Sequence, residues 1–315
     1  MSGSETDPYD PALRALIAGA FSRLEDRLRV ATPALATPTL TWTRVLAGGK
    51  SPDEYFTHRL AFPMLLLPWW LEEVIHGEHD DAFQSDVIYA AVTGYYFVRM
   101  IDDLMDRDRQ IPAVVLPALV FFHTELARTC QAHFGADDPF WVDFESVSFA
   151  SADTAALDAE LHAIDRQTFM AISSRKVVGA KMPLAAVCAR YRRRDLLPAW
   201  SELIDLLGRW HQMLNDLLGW SRDLADGRAT YFLSEAARRK RPDEPVEAWI
   251  VREGLTWGVA ELEAWLRPLH AATDRLGHRP LRDYIETRHR DARERWTRVL
   301  PALRELERFM ATRLD

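Results

Sequence analysis

The sequence has 315 residues, and 48% of them are hydrophobic, which is enough for one large buried core or two smaller ones. Its formal net charge of −8 argues against general binding to nucleic acid or to an anionic membrane surface. The two cysteines, Cys130 and Cys188, lie outside any Cys-x-x-Cys or Cys/His pattern, which disfavours zinc-finger, iron–sulfur and disulfide-scaffold proteins.

The first 40 residues are predicted to be an N-terminal extension that is partly disordered. Residues 1–9 are expected to be disordered, and a helical pattern begins near Pro11. Residues 31–41 contain Pro33, Pro38 and several threonines, which is typical of a loop. The start of the chain lacks the basic and apolar segments of a secretory signal, and apolar runs such as 62–71 are too short to cross a bilayer. We therefore expect a cytoplasmic protein without a transmembrane segment.

Residues 41–315 are predicted to form a single all-α domain. Ser51 followed by Pro52 is a typical helix start, and the glycines at 227 and 277 are typical helix ends. No strand-like alternation or internal repeat is found. Helices are predicted over residues 83–105, 114–134, 154–172, 196–226, 245–276 and 280–313, and over 177–191 with a break or kink caused by Gly179 and Pro183.

The first candidate site is an acidic cluster at the end of the predicted helix over residues 83–105. Asp102 and Asp106 are four residues apart and share a helix face, and Asp103 is adjacent. Magnesium prefers oxygen ligands of this kind, together with water and substrate phosphates. The alternative is a solvated helix end whose carboxylates are balanced by neighbouring arginines such as Arg99.

The second candidate site lies on the helix predicted over residues 196–226. Asn215, Gly219 and Asp223 are spaced by four residues and therefore line one face. An amide oxygen and a carboxylate two turns apart can ligate one hard cation, and a glycine between them leaves room for the ion. Glycine inside a helix costs about 1 kcal/mol relative to alanine, so its presence calls for a reason. The alternative is a packing glycine beside an ordinary polar stripe.

These two patterns resemble the metal-binding motifs of class I terpene synthases, in the isoprenoid synthase superfamily. Asp102, Asp103 and Asp106 match the aspartate-rich DDxxD motif, and the segment from Asn215 to Gly227 is similar to the NDxxSxxxE motif. Two departures are present in the second motif: glycine replaces the usual Ser or Thr at position 219, and aspartate replaces the usual glutamate at 223. The interval between the motifs is also short for the family. The resemblance implies a helical bundle around a central apolar cavity.

The resemblance also implies arginines that bind the substrate diphosphate. Arg175 with Gly179 fits the diphosphate-sensing arginine that precedes a helix break, and Arg222 stands just before the last acid of the second motif. Near the C-terminus, Arg295 with Trp296 corresponds to an Arg-Tyr pair of the family, and the pair at positions 288 and 289 is its rival.

Three further residues are candidates for the wall of the site. Arg99 and Tyr95 lie about one and two turns before the first motif, and His211 lies one turn before Asn215. An aromatic ring such as that of Tyr95 can stabilise a carbocation, and an arginine can bind phosphate. His211 is open between a pocket wall, a core histidine and a general base.

The predicted function is that of a magnesium-dependent terpene synthase that ionises farnesyl or geranylgeranyl diphosphate and cyclises the carbocation. The resemblance implies three magnesium ions, with manganese as the alternative metal, and a homodimer is the oligomer to consider. Two alternatives remain open. One is a prenyltransferase of the squalene or phytoene synthase type, since the stretch from Arg222 to Arg228 also resembles that family's second acidic motif. The other is a non-catalytic helical bundle that binds a ligand.

Overall fold

A computed structural model describes residues 7–105 and 111–311, and every regular element within these ranges is helical. The expectation of an all-α fold is confirmed. Residue contacts divide the chain into two units, which we describe separately. Unit 1 comprises residues 1–159 and 178–201, and unit 2 comprises residues 160–177 and 202–315.

Unit 1 is built around one long helix, α5, which contacts α1, α6, α7 and α9. The α-helices of this unit are α1 (Pro11–Ala31), α2 (Pro33–Leu46), α3 (Pro52–Thr57), α4 (Leu66–His76), α5 (Asp81–Met105), α6 (Ala118–Gln131), α7 (Phe140–Ala159) and α9 (Lys181–Arg190). The helical periodicity of α5 explains its place, because Ile88, Val92, Tyr96 and Met100 repeat at a spacing of four residues and are buried.

The predicted loop over residues 31–41 is wrong, because α2 covers most of it. Pro33 occupies the first turn of α2, where its missing N–H costs nothing, and Pro38 lies within the helix. Trp42 packs against Tyr96 and Phe122, at ring-centroid distances of 5.7 and 6.3 Å. Burial of this face therefore outweighs the proline signal. The boundary suggested near residue 40 falls inside α2.

One helical stretch, Ala113–Gln131, is apolar and long enough to pass a simple test for a membrane span, and 44% of it is buried within the protein. It comprises a 3₁₀ turn and α6, separated by Pro117. Glu125, within this stretch, is buried and accepts hydrogen bonds from Arg27 and Tyr89, each at 2.8 Å. The stretch therefore contains a buried carboxylate that is paired with side chains from two other helices of unit 1.

Unit 2 contains α14, the longest helix of the described chain, and most of the second longest, α10. Its α-helices are α8 (Arg166–Arg175), α10 (Leu197–Ala225, whose first five residues belong to unit 1), α11 (Tyr231–Arg239), α12 (Val246–Trp249), α13 (Leu255–Leu276) and α14 (Arg279–Ala311), with a π-helical turn at Ile250–Gly254. Glycines permit close packing here. A Cβ atom added at Gly208 of α10 would lie 2.8 Å from the carbonyl oxygen of Ser173, and one at Gly258 of α13 would lie 3.1 Å from the ring of Phe232.

Two helices of unit 2 end where the sequence predicts that they should. Gly227 and Gly277 both have positive φ angles, of 69° and 65°, and lie just after α10 and α13 as predicted. The continuous helix predicted over residues 154–172 is wrong, because α7 ends at Ala159 and α8 begins at Arg166. Asp165 caps α8 by accepting a 2.7 Å hydrogen bond from the backbone N–H of Thr168, and this cap starts a new helix.

Candidate active site

The acidic end of α5 carries two of the three predicted carboxylates of the first motif. Asp103 is 2% exposed and Asp102 is partly exposed, whereas Asp106 lies outside the described residues. Arg99, one turn earlier, donates to Asp102 at 3.2 Å and also to Asp103. This pairing is what the alternative of a balanced helix end predicts, so a magnesium ion at Asp102 has to compete with the Arg99 guanidinium.

Tyr95 lies one turn before Arg99 in a cluster of aromatic rings. Its hydroxyl is 2.6 Å from that of Tyr55, and its ring makes an edge contact with Phe56 at 4.9 Å between centroids. Burial, followed by the neighbouring Tyr55, raises the pKa of Tyr95 well above its ordinary value. Burial lowers the pKa of Arg99, but its neighbours Tyr95, Asp103 and Asp102 have the larger combined effect, so the pKa of this arginine is raised. Tyr95 therefore stays neutral and offers a ring and a hydroxyl.

The second motif spans two turns near the C-terminal end of α10. Asn215 is exposed and Asp223 is 7% exposed. A Cβ atom added at Gly219 would lie 3.1 Å from Oδ2 of Asp223 and 3.0 Å from Nη2 of Arg222. The Asp223 carboxylate thus folds back towards Gly219, in the direction of Asn215, and a larger residue would crowd it. This contact supplies the reason for the glycine.

Arg222 is exposed and contacts its neighbour in the sequence. Its Nη2 atom lies 3.2 Å from Oδ1 of Asp223. Within the described residues this exposed guanidinium contacts one carboxylate, that of Asp223, so it can turn towards an anion.

Asp216 is the feature of this region to which the sequence assigned no role. It is 2% exposed, and its carboxylate accepts a 2.8 Å hydrogen bond from Gln212. Burial raises its pKa to about 7; Gln212 and Lys176 oppose the shift, and the charge of Asp223 adds to it. The only sequence signal was its register, since position 216 falls on the buried stripe of α10 with Met213.

A buried arginine, Arg288, lies on α14 beside α10. It is 2% exposed and donates hydrogen bonds to the hydroxyl of Tyr284 at 3.1 Å and to Nδ1 of His211 at 3.0 Å. Its guanidinium also lies 5.5 Å from the ring centre of Trp210. This second hydrogen bond connects Arg288 to α10, because His211 lies on that helix one turn before Asn215. In the sequence, Arg288 interrupts an otherwise apolar stripe of α14, and this interruption is the signal that indicates a functional residue.

The other predicted arginines lie at exposed positions. Arg175 is the last residue of α8, and Arg295 is exposed on α14 while Trp296 is buried. The predicted helix break near Gly179 is confirmed, because a 3₁₀ turn at Val178–Ala180 separates α8 from α9. Of the two C-terminal pairs, burial and hydrogen bonding favour the one that contains Arg288.

The donor atoms suit magnesium, but the described residues do not assemble a complete site. Among them, without Asp106, no three side chains of His, Cys, Asp or Glu are grouped closely enough to hold a metal ion. Asn215 and Asp223 offer the oxygen ligands that magnesium prefers, and a cation would relieve the repulsion between Asp223 and Asp216. The first motif belongs to unit 1 and the second to unit 2, so their action on one substrate stays a prediction.

Comparison with solved structures reveals the same fold in a geranylgeranyl pyrophosphate synthetase from the archaeon Geoglobus acetivorans. The TM-score is 0.62 at 14% sequence identity, and the match covers 90% of this chain and 98% of that chain. Neither a protein-family model nor a curated protein matches the sequence. The likeness establishes the all-helical fold of an isoprenyl diphosphate synthase.

Proposed function

We propose that this protein is a magnesium-dependent enzyme that ionises an isoprenoid diphosphate and cyclises the carbocation, as class I terpene synthases do. The main support is the second motif, where Asp223 folds over Gly219 on the same helix face as the exposed Asn215. The fold likeness to a geranylgeranyl pyrophosphate synthetase supports the handling of an isoprenoid diphosphate. The second motif favours a cyclase because it is not a second aspartate-rich motif.

Asp102, Asp103 and Asp106 from α5 and the segment after it would hold magnesium, together with Asn215 and Asp223 from α10. We expect three ions, and manganese as a substitute. When bound, the metal neutralises the charge that develops on the leaving diphosphate. Gly219 contributes space and no ligand oxygen, so water would fill the place of the usual hydroxyl.

The protein's own residues bind and orient the diphosphate in this proposal. Arg222 and Arg175 are exposed guanidinium groups that can each offer paired donors to phosphate oxygens. Arg288 takes the role that the family resemblance implied for Arg295, and His211 fixes its orientation through the 3.0 Å hydrogen bond. Tyr95, kept neutral by burial, contributes an aromatic face for the carbocation.

A prenyltransferase is the second candidate. Two observations favour it: a solved structure with this fold is a geranylgeranyl pyrophosphate synthetase, and Asp226 follows Asp223 by three residues, as in the second acidic motif of squalene and phytoene synthases. In that case the carbocation is attacked by a second isoprenoid instead of by its own chain.

Product analysis separates these candidates. The protein is incubated with magnesium and with geranyl, farnesyl or geranylgeranyl diphosphate, alone and with isopentenyl diphosphate, and the extract is analysed by mass spectrometry. A cyclic product of unchanged carbon number supports the cyclase, whereas a longer or doubled chain supports the prenyltransferase. If no product forms and calorimetry detects no magnesium-dependent binding of diphosphate, the protein is a non-catalytic bundle.

Asp226→Asn provides a matched variant for the same distinction. Asp226 is exposed and lies 3.7 Å from the guanidinium of Arg228, so its loss leaves the fold intact. The cyclase proposal expects little change in turnover, whereas a squalene-type enzyme needs this carboxylate. We further propose a cytoplasmic location, which fractionation of cells that express the protein would test.

A further inference from the structure

A groove of about 320 Å³ runs along α14 where this helix packs against α13, within unit 2. None of its lining residues belongs to either acidic motif. This volume far exceeds what a single water molecule needs and is enough for a small multivalent anion. The lining residues are His270 from α13 and Glu286, His289, Arg290, Arg293, Glu294 and Thr297 from α14.

Each of the two glutamates of the groove is paired with an arginine that does not line it. Glu286 accepts a 3.0 Å hydrogen bond from Arg282, and Glu294 lies 3.7 Å from a guanidinium nitrogen of Arg298. Both pairs follow the spacing of four residues that favours ion pairs on a helix. These pairs offset part of the negative charge of the two carboxylates, and Arg282 is shared with Asp274.

The two arginines of the groove are less well balanced. Arg290 donates to Thr287 Oγ1 at 3.2 Å and forms no ion pair within the described residues. Arg293 has one carboxylate neighbour there, Glu263, at 3.8 Å. A guanidinium that lacks a close carboxylate offers paired N–H donors to an oxyanion, and it repels a metal cation.

Two histidines complete the groove from opposite helices. Nε2 of His270 and Nδ1 of His289 are buried and have no hydrogen-bond partner among the described residues. A buried polar atom without a partner costs about 1–3 kcal/mol, so both rings gain from a ligand that hydrogen-bonds to them. Burial lowers the pKa of His289; Glu263 opposes this shift, and Arg293 and His270 add to it.

We propose that this groove binds a multiply charged phosphate-type oxyanion, held by Arg290 and Arg293 and by the rings of His270 and His289. The site is independent of magnesium and of the proposed isoprenoid chemistry. Inorganic phosphate, inorganic diphosphate and the head group of a phosphorylated metabolite share this chemistry, and diphosphate is expected to bind most tightly because it carries the most charge.

Calorimetry with inorganic diphosphate, and separately with orthophosphate, tests the proposal in metal-free buffer. The double variant Arg290→Gln/Arg293→Gln should lower the affinity for diphosphate at least about 10-fold, the typical effect of losing charge-assisted hydrogen bonds. Arg279→Gln on the same helix is the matched control, because Arg279 is 89% exposed, does not line the groove and should leave the affinity unchanged. Equal affinity in the double variant and the control would overturn the proposal.

Two further measurements separate this site from the candidate active site. Asn215→Ala should bind diphosphate normally without magnesium, and binding that appears only with magnesium would refute a separate site. The pH dependence is tested by comparing the wild-type protein with His289→Gln at each pH, because the protonation of the anion itself then affects both proteins equally. The affinity of the wild-type protein relative to this variant should rise as the pH falls from about 8 to about 5.5, because protonation of His289 adds positive charge next to the anion. A ratio that does not change with pH would contradict contact between His289 and the anion.

Discussion

The acidic end of α5 and the acidic segment of α10 hold their carboxylates in opposite electrostatic conditions. On α5, Arg99 contacts both Asp102 and Asp103 from within the same helix. On α10, Asp216 and Asp223 are both buried, and burial with mutual repulsion raises the pKa of Asp216 to about 7. The partly buried Arg99 balances the first acidic region, whereas in the second the exposed Arg222 contacts Asp223 alone and Asp216 keeps a raised pKa next to Asn215.

This difference indicates which of the two motifs binds a magnesium ion more favourably. A magnesium ion at the first motif has to replace both contacts of the partly buried Arg99, whereas one at the second replaces only the contact of the exposed Arg222 with Asp223 and also relieves the repulsion between Asp216 and Asp223. We therefore expect the α10 motif to bind the first ion and the α5 motif to be recruited with the substrate diphosphate.

The largest expected effect is on turnover. Asn215→Ala and Asp102→Ala should each reduce the rate by at least about 100-fold, the scale seen when a group that stabilises the transition state is removed. Circular dichroism should show unchanged helicity. Glu202→Gln is a matched control on α10, because Glu202 is exposed and its ion pair within the described residues is with the exposed Arg275. Normal turnover in either motif variant would contradict the proposed function.

Glu125 is a buried acid that, unlike Asp216, is fully paired. Burial raises its pKa, but Arg27, Arg128 and Tyr89 outweigh this and lower the pKa to about 2. Glu125→Gln should reduce the free energy of unfolding by about 2–4 kcal/mol at neutral pH, because the arginines lose a buried partner. Because the folded pKa is lowered, this stabilisation is present above the unfolded pKa and lost as the pH falls towards 2. Urea titrations of the wild-type protein and the variant at neutral pH and near pH 2 provide the measurement.

Asp216→Asn should increase the stability of the protein, whereas Glu125→Gln should decrease it. Because the folded pKa of Asp216 is raised to about 7, the wild-type protein should lose stability as the pH rises from about 4 to about 7. The asparagine variant removes this slope and should be more stable by roughly 1–3 kcal/mol near pH 8. Thermal unfolding across this range is the measurement, and parallel curves for the two proteins would show that Asp216 is ionised throughout.

Arg99→Gln tests the balance at the first motif. Removal of the guanidinium leaves the buried carboxylate of Asp103 without this hydrogen bond, which should cost about 1–3 kcal/mol of stability. Magnesium should restore more stability to this variant than to the wild-type protein, because the ion no longer competes with Arg99. Equal thermal shifts with magnesium in both proteins would argue against metal binding at Asp102.

The smallest effect is expected for Gly219→Ala. Alanine gains about 1 kcal/mol of helix propensity, but its Cβ atom would lie 3.1 Å from Oδ2 of Asp223. The two effects should nearly cancel in stability, while displacement of the carboxylate weakens magnesium binding a few-fold. Calorimetric titration with magnesium measures this, and unchanged affinity would place the ion away from Asp223.

Local patterns in the sequence determined the all-helical fold and many helix ends. The spacing of apolar residues set α5 and α10, and Gly227 and Gly277 ended helices where the left-handed conformation was needed. These features depend on residues within a few turns of each other. The two acidic motifs were found for the same reason, because their residues lie on single helix faces.

Tertiary structure decided what local patterns could not. Pro38 lies inside α2 because burial of that helix face outweighs a local signal, and Asp165 starts a separate helix after a break that periodicity does not predict. The paired state of Glu125 and the buried state of Arg288 depend on Arg27 and His211, 98 and 77 residues away. Burial and pKa values depend on such distant neighbours, so the sequence placed the acidic residues on helices but left their charge states to the fold.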